Sequence, residues 1–161
     1  MQNKNWYVLY VKRNHENKVE TLINKWNNNI HAFCPIRTEI RVWSDRKKKI
    51  KVPLLPRIIF VNATEEQRNT VFDLPGTVNY LYDQGKPGIV REEEINYLKN
   101  NLKNLDIQSH SVEPITLGKT LPLVDFGIEN QEGLIVKTTK NNVWVVLKSV
   151  GFVVKLQLNQ Q

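Results

Sequence analysis

Two prolines pin the stretch that most limits how this chain can fold. In Ser44–Val61, SDRKKKIKVPLLPRIIFV, a basic run from Arg46 to Lys49 leads into an apolar segment pinned by Pro53 and Pro56. Proline has a fixed φ and no amide hydrogen, so it confines regular pairing to the flanks. Ile50–Pro53 reads as a short returning strand and Arg57–Asn62 as a central one. The segment thus sets a positive loop tip beside an apolar strand, one surface suited to nucleic acid and one to protein. Successive side chains of Leu54–Phe60 face opposite ways. One set fills a core, and the other is free to line a groove for a partner helix, with Tyr7 and Tyr10 at its border. Pattern alone does not choose between the two sets.

The flanking chain alternates strand and helix signals. Asn5–Lys12 (NWYVLYVK) is β-branched and aromatic and reads as a buried opening strand. Asn14 is a suitable N-cap, followed by Val19, Leu22, Ile23 and Trp26 at helical spacing. His31–Val42 reads as one extended, half-exposed strand, with Ile36, Thr38, Ile40 and Val42 alternating with Arg37, Glu39 and Arg41. Thr64 and Gln67 form a capping-box pattern for a second, short helix that Leu74-Pro75-Gly76 stops. Val78–Tyr82 is another strand and Gly85–Gly88 a turn. From Arg91 a third helix carries Ile95, Leu98, Leu102 and Leu105 on one face, and Glu92-Glu93-Glu94 suits its first turn. This order predicts an α+β sandwich with a mostly antiparallel sheet over residues 1–105. The polar, unperiodic residues 106–114 read as a linker. Residues 115–161 turn all-β, with strands expected at Thr120–Asp125, Gly133–Thr139, Val143–Ser149 and Phe152–Leu158, and with Asn141-Asn142 suiting a tight turn. A small closed barrel follows.

Charge narrows the function. Residues 1–57 hold 13 Lys/Arg and 4 Asp/Glu, and the remainder holds 10 and 12, so +9 and −2 make the net +7. The basic excess lies wholly in the first third, which points to a polyanion-binding face. Arg41–Lys51 concentrates six Lys/Arg against one Asp around Trp43, which either stacks on a base or packs under the hairpin. Lys12 and Arg13 would extend the patch. The histidines (His15, His31, His110) are far apart, no phosphate loop or dinucleotide fingerprint occurs, and the single cysteine, Cys34, sits in an apolar stretch. A binding protein without cofactor, metal or catalytic residues is expected, not an enzyme. No apolar run reaches the roughly 18 residues of a membrane span, so a cytoplasmic, monomeric protein is the expectation.

WYVLYVKR (Trp6–Arg13) followed by VPLLPRIIFV (Val52–Val61) resembles the N-terminal (NGN) domain of the NusG family, and the second half resembles the KOW domain, an SH3-like barrel. WSDRKKKIKVPLLP is similar to the specialised UpxY group, and the opening run to RfaH-like members. The resemblance implies a transcription elongation and antitermination factor, specific to polysaccharide operons, that suppresses pausing and termination. A general NusG-type elongation factor and a ribosome-associated KOW RNA-binding protein are the alternatives. It implies docking of Tyr10, Leu55, Ile58 and Phe60 on the clamp helices of the largest RNA polymerase subunit. Gln67, Arg68 and Asn69 would meet the gate loop of the other large subunit. Lys12 and Arg13, with Arg41 and Arg46, Lys47, Lys48 and Lys49, would contact non-template or upstream DNA. The KOW domain would recruit Rho or a small-subunit ribosomal protein. Arg57 occupies a position where the family usually carries glycine or asparagine.

Overall fold

The computed structural model describes residues 3–100, 107–114, 134–138, 140–147 and 151–158. Two compact units divide them: residues 1–36 with 53–90, and residues 37–52 with 91–161.

In the first unit, β1 (Asn5–Val11) is the middle of the sheet. It pairs antiparallel with β5 (Ile58–Ala63) in an unbroken register from Asn5↔Ala63 to Tyr10↔Ile58. On its other side it pairs with β6 (Thr77–Tyr80) and β9 (Ile89–Val90). Between them β7 (Tyr82–Asp83) and β8 (Lys86–Pro87) form a small hairpin, turned by Gln84 and Gly85 with positive φ at both. That is the type I′ geometry that suits a twisted two-residue hairpin, so Lys86 and Pro87 belong to a strand rather than to the turn. Helix α1 (Glu16–Trp26) buries Val19 and Ile23 against Tyr7, Leu9, Val11, Ile59 and Val61. Trp26, at the end of the same apolar spacing, is exposed. Asn14 does not cap α1. It closes a Lys12–His15 turn with φ of 66°, and His15 takes the cap position without a side-chain capping bond. Asparagine favours both roles, and the turn wins because the chain must reverse straight after β1. The Thr64 hydroxyl accepts the Gln67 amide as expected, but a 3-10 turn, Arg68–Asp73, follows instead of an α-helix.

β2 (His31–Phe33) lies outside β5, at the end of the sheet. The long extended stretch breaks at Cys34-Pro35, because proline cannot continue the ladder. The outward backbone of β2 is closed by α1. Asn24 Nδ2 donates to the Ala32 carbonyl at 3.0 Å, Asn24 Oδ1 accepts from the Ala32 amide at 2.7 Å, and the Cys34 amide donates to the Glu20 carboxylate. A helix side chain here does what another strand would do, which leaves no template for a foreign strand.

In the second unit, α2 (Glu92–Asn100) places its three glutamates in the first turn and buries Ile95 and Leu98. Leu102 and Leu105 lie outside the described residues. The stretch expected as a linker runs instead as β10 (Ile107–Pro114), paired with β13 (Phe152–Leu158) from Ile107↔Leu158 to Pro114↔Phe152. Its polarity misled: a strand at the end of a sheet needs only one apolar face, and Ile107 is its buried anchor. β12 (Asn142–Leu147) and β11 (Leu134–Thr138) complete the antiparallel order β10–β13–β12–β11. Val143, Val145, Leu147, Val153, Val154 and Leu156 fill its core. The expected strand at Thr120–Asp125 and the glycines 127 and 133 lie outside the described residues. Gly151, at φ of 85°, turns β12 into β13. β3 (Ile36–Val42) and β4 (Lys47–Pro53) form a separate two-stranded ribbon.

Asn24→Ala opens the β2 edge. It should lower stability by about 1–2 kcal/mol, the net worth of two hydrogen bonds, and promote self-association. Urea midpoints and light scattering check both outcomes.

Candidate functional site: an apolar sheet face and a basic hairpin

Leu55-Pro56-Arg57-Ile58 is a tight turn, with the Ile58 amide donating to the Leu55 carbonyl at 3.4 Å. Pro56 stands second and Arg57 third with φ of 64°, the arrangement of a type II turn. This accounts for position 57. A left-handed third residue favours glycine or asparagine, and Arg57 holds it under strain, with its carbonyl accepting the Val11 amide at 2.9 Å.

Beyond the turn, Ile59, Val61 and Ala63 point into the α1 core, and Ile58 and Phe60 point to the opposite face. The β1–β5 register sets Tyr10 beside Ile58 and Val8 beside Phe60. Phe33 stacks on Phe60 with centroids 6.2 Å apart. The expected docking residues therefore do converge, but they are not presented. Leu55, Ile58 and Phe60 are 1%, 3% and 0% exposed, and Tyr10 is half-buried. The reason is physical: with Trp6 and Val8 on the same side of β1, they make an apolar patch that water disfavours by about 25 cal/mol per Å².

The three residues expected at the gate loop also separate. The Arg68 guanidinium lies 5.7 Å from the Tyr7 ring and 5.6 Å from the Tyr80 ring, and Tyr80 donates its hydroxyl to the Arg68 carbonyl at 2.6 Å. Burial drives the Tyr80 phenol well above its ordinary range, against the opposing pull of Arg68. Arg68 is thus a structural cation, Gln67 is half-buried, and Asn69 is exposed while accepting a bond from Arg68 at 3.1 Å. Nothing in the sequence marks this cluster, since its parts are brought together only by the sheet.

The basic residues sort by place. Lys12 and Arg13 are exposed in the turn after β1. Arg41, Arg46, Lys47, Lys48 and Lys49 are exposed on the β3–β4 ribbon. Reciprocal backbone bonds between Trp43 and Arg46, at 2.8 and 3.3 Å, close the ribbon around Ser44-Asp45. Trp43 is 42% exposed, with Arg46 at 5.3 Å and Lys48 at 5.7 Å over its ring. Each such cation–π contact is worth about 0.5–1 kcal/mol at an exposed site. At the ribbon's base the exposure runs against residue type: Arg37 is buried and donates Nε to His110 Nδ1 of β10 at 2.6 Å, while Ile40 and Val42 are 60% and 69% exposed.

No group of three metal-ligating side chains occurs among the described residues, and none of their helices is long and apolar enough to cross a membrane. Cys34 is buried, and its thiol is pushed up to about 12 by burial first and by Glu20 and Glu16 second, the reverse of what a nucleophile needs.

A family model described as "Transcription termination factor nusG" matches residues 4–99. A solved structure described as "Domain interaction in Thermotoga maritima NusG" is 17% identical, with a TM-score of 0.51. That match covers 97% of this chain and 94% of that one. No curated protein matches significantly.

Arg57→Gly should raise stability by about 1 kcal/mol by relieving the left-handed arginine, read as a higher Tm. The unfolded Cys34 thiol ionises near 9.0 and the folded one near 12. Its contribution to stability is complete below pH 9 and is lost as the pH rises through the folded value. Cys34→Ala should therefore shrink, without abolishing, the fall in urea stability over that window, because Tyr80 and Tyr97 are shifted upward as well.

Proposed function

The chain belongs to the NusG family of transcription factors, and on that premise we propose that it is an elongation and antitermination factor acting on polysaccharide operons. Proteins of this family bind RNA polymerase. In this chain the contact is the sheet face of Tyr10, Leu55, Ile58 and Phe60, docked on the clamp helices of the largest subunit. Of the three residues expected at the gate loop, Asn69 is the exposed one and would make that contact. The observation that carries the reading is the β1–β5 register, which lines up Tyr10, Ile58 and Phe60 as one apolar face. An apolar sheet face receives the apolar stripe of a helix without side-chain rearrangement. Docking through it requires that the face first be uncovered.

Holding both sides of the polymerase channel favours the closed state, because a ligand shifts an equilibrium only by binding one state better. The ribbon and the Lys12-Arg13 turn supply the DNA contacts, and the C-terminal sheet supplies a second partner, Rho or a small-subunit ribosomal protein. Membership of the family alone fits a general elongation factor equally well. Dependence on one leader sequence separates the two.

Purified core polymerase should retain the chain in pull-down. Tyr10→Ala should weaken binding about tenfold, a loss of about 1.4 kcal/mol, with an unchanged circular dichroism spectrum. In single-round transcription the chain should shorten pauses on a template that carries its own operon leader. Absence of polymerase binding by a correctly folded chain would sink the reading, and equal action on all templates would favour the general factor.

A further inference from the structure

The β3–β4 ribbon buries Arg37 and exposes Ile40 and Val42, the reverse of what burial energetics favour. Extending the register set by Trp43 and Arg46 puts Val42 opposite Lys47, Ile40 opposite Lys49 and Thr38 opposite Lys51. All six side chains are exposed and share one face. The other face holds Arg41 and the Trp43–Arg46–Lys48 cluster at its tip. Lower down, that face turns inward through buried Arg37 and half-buried Ile50 and Val52. The Arg37–His110 bond fixes which face is which.

We propose that the outer face is a groove-binding surface for double-stranded DNA. Lys47, Lys49 and Lys51 neutralise phosphates, and Ile40 and Val42 lie against sugars and base edges. This deepens, and rests on, the reading that the hairpin meets DNA. Charge complementarity selects a polyanion, and three lysines on alternate residues form a ladder about 13 Å long. Shape selects the duplex. Two strands about 4.8 Å apart, with their side chains, fit the major groove of B-DNA, about 12 Å wide. A-form RNA has a major groove too narrow for side chains to read. Single strands are held chiefly by aromatic platforms. The ribbon's sole aromatic, Trp43, is on the other face under two cations. β-Branched aliphatics do not stack on bases, but they suit thymine methyls and sugar edges. Trp43 is then a brace for the tip rather than a base platform.

The test is fluorescence anisotropy of the full chain with a mixed-sequence DNA duplex of about two helical turns, over a salt series and without polymerase. Lys47→Gln/Lys49→Gln/Lys51→Gln should lower affinity at least about tenfold and flatten the salt slope by about 2.7, at about 0.9 per phosphate. Ile40→Ser/Val42→Ser should lower affinity about threefold at an unchanged slope, since apolar contacts release no counterions. Arg41→Gln/Arg46→Gln/Lys48→Gln removes the same charge from the opposite face and should keep most of the slope. Thermal melts confirm that all three variants remain folded. An equal or greater loss from the opposite-face variant overturns the proposal. So does equal affinity for an RNA duplex of the same sequence, or tighter binding of single-stranded DNA that Trp43→Ala abolishes. A chain that fails here yet binds polymerase loses only this inference, and one that binds duplex but not polymerase loses only the polymerase reading.

Discussion

Every strand of the first sheet is paired to β1 directly, or in the case of β2 through β5. Trp6, Tyr7, Val8 and Leu9 are all buried, so β1 has no solvent face over that span. A strand buried on both sides cannot slip by one residue without exchanging its two apolar sets. The β1–β5 register therefore decides at once which residues meet α1 and which form the opposite face. Tyr7 and Leu9 go with Ile59 and Val61; Val8 and Tyr10 go with Phe60 and Ile58. The proposed polymerase contact is a by-product of the packing that holds the domain together. Substitutions at Ile58 or Phe60 touch the fold before they touch any partner.

Much of this was legible before the structure. The periodicity of α1 and the aromatic, β-branched opening strand identify the sandwich because local preference and burial agree there. Misreadings fall where one residue type serves two geometries or where a period leaves a sign open. Asn14 suits an N-cap and a left-handed turn alike. Alternation in Ile36–Val42 says which side chains share a face, and it is silent on which face is buried. The sign was set by Arg37, whose partner, His110, stands 73 positions away. β10 passed for a linker because His110, Ser109 and Ser111 hide a strand that needs little apolar content.

The candidate site was half legible. Its residue types and their grouping follow from the proline-pinned segment. Burial of Leu55, Ile58 and Phe60 does not, since a strand with apolar residues on both faces contains no instruction about solvent. The use of Arg68 as an internal cation was equally hidden, because Tyr7 and Tyr80 approach it only through the sheet. Arg57 is the opposite case. Its departure from glycine or asparagine is visible in the sequence, and the left-handed turn supplies the reason that those residues are preferred.

The two surfaces differ in the physics of contact, and that difference orders them. The ribbon is exposed, charged and held in place, so under the proposed reading it meets a polyanion at rates set by electrostatic steering and weakened by salt. The apolar face is covered, so the affinity of a partner for it is reduced by the fraction of molecules in which it is open. Because polymerase carries the DNA, an encounter through the ribbon would raise the local concentration of the face's partner while the face is still closed. Under that reading the lysine ladder would limit where the chain engages, and the apolar face how long it stays. Weakening the first would change association and its salt dependence; weakening the second would change dissociation. A chain in which Ile58 and Phe60 stood open from the start would lose that order, and would expose to water the patch that the fold keeps dry.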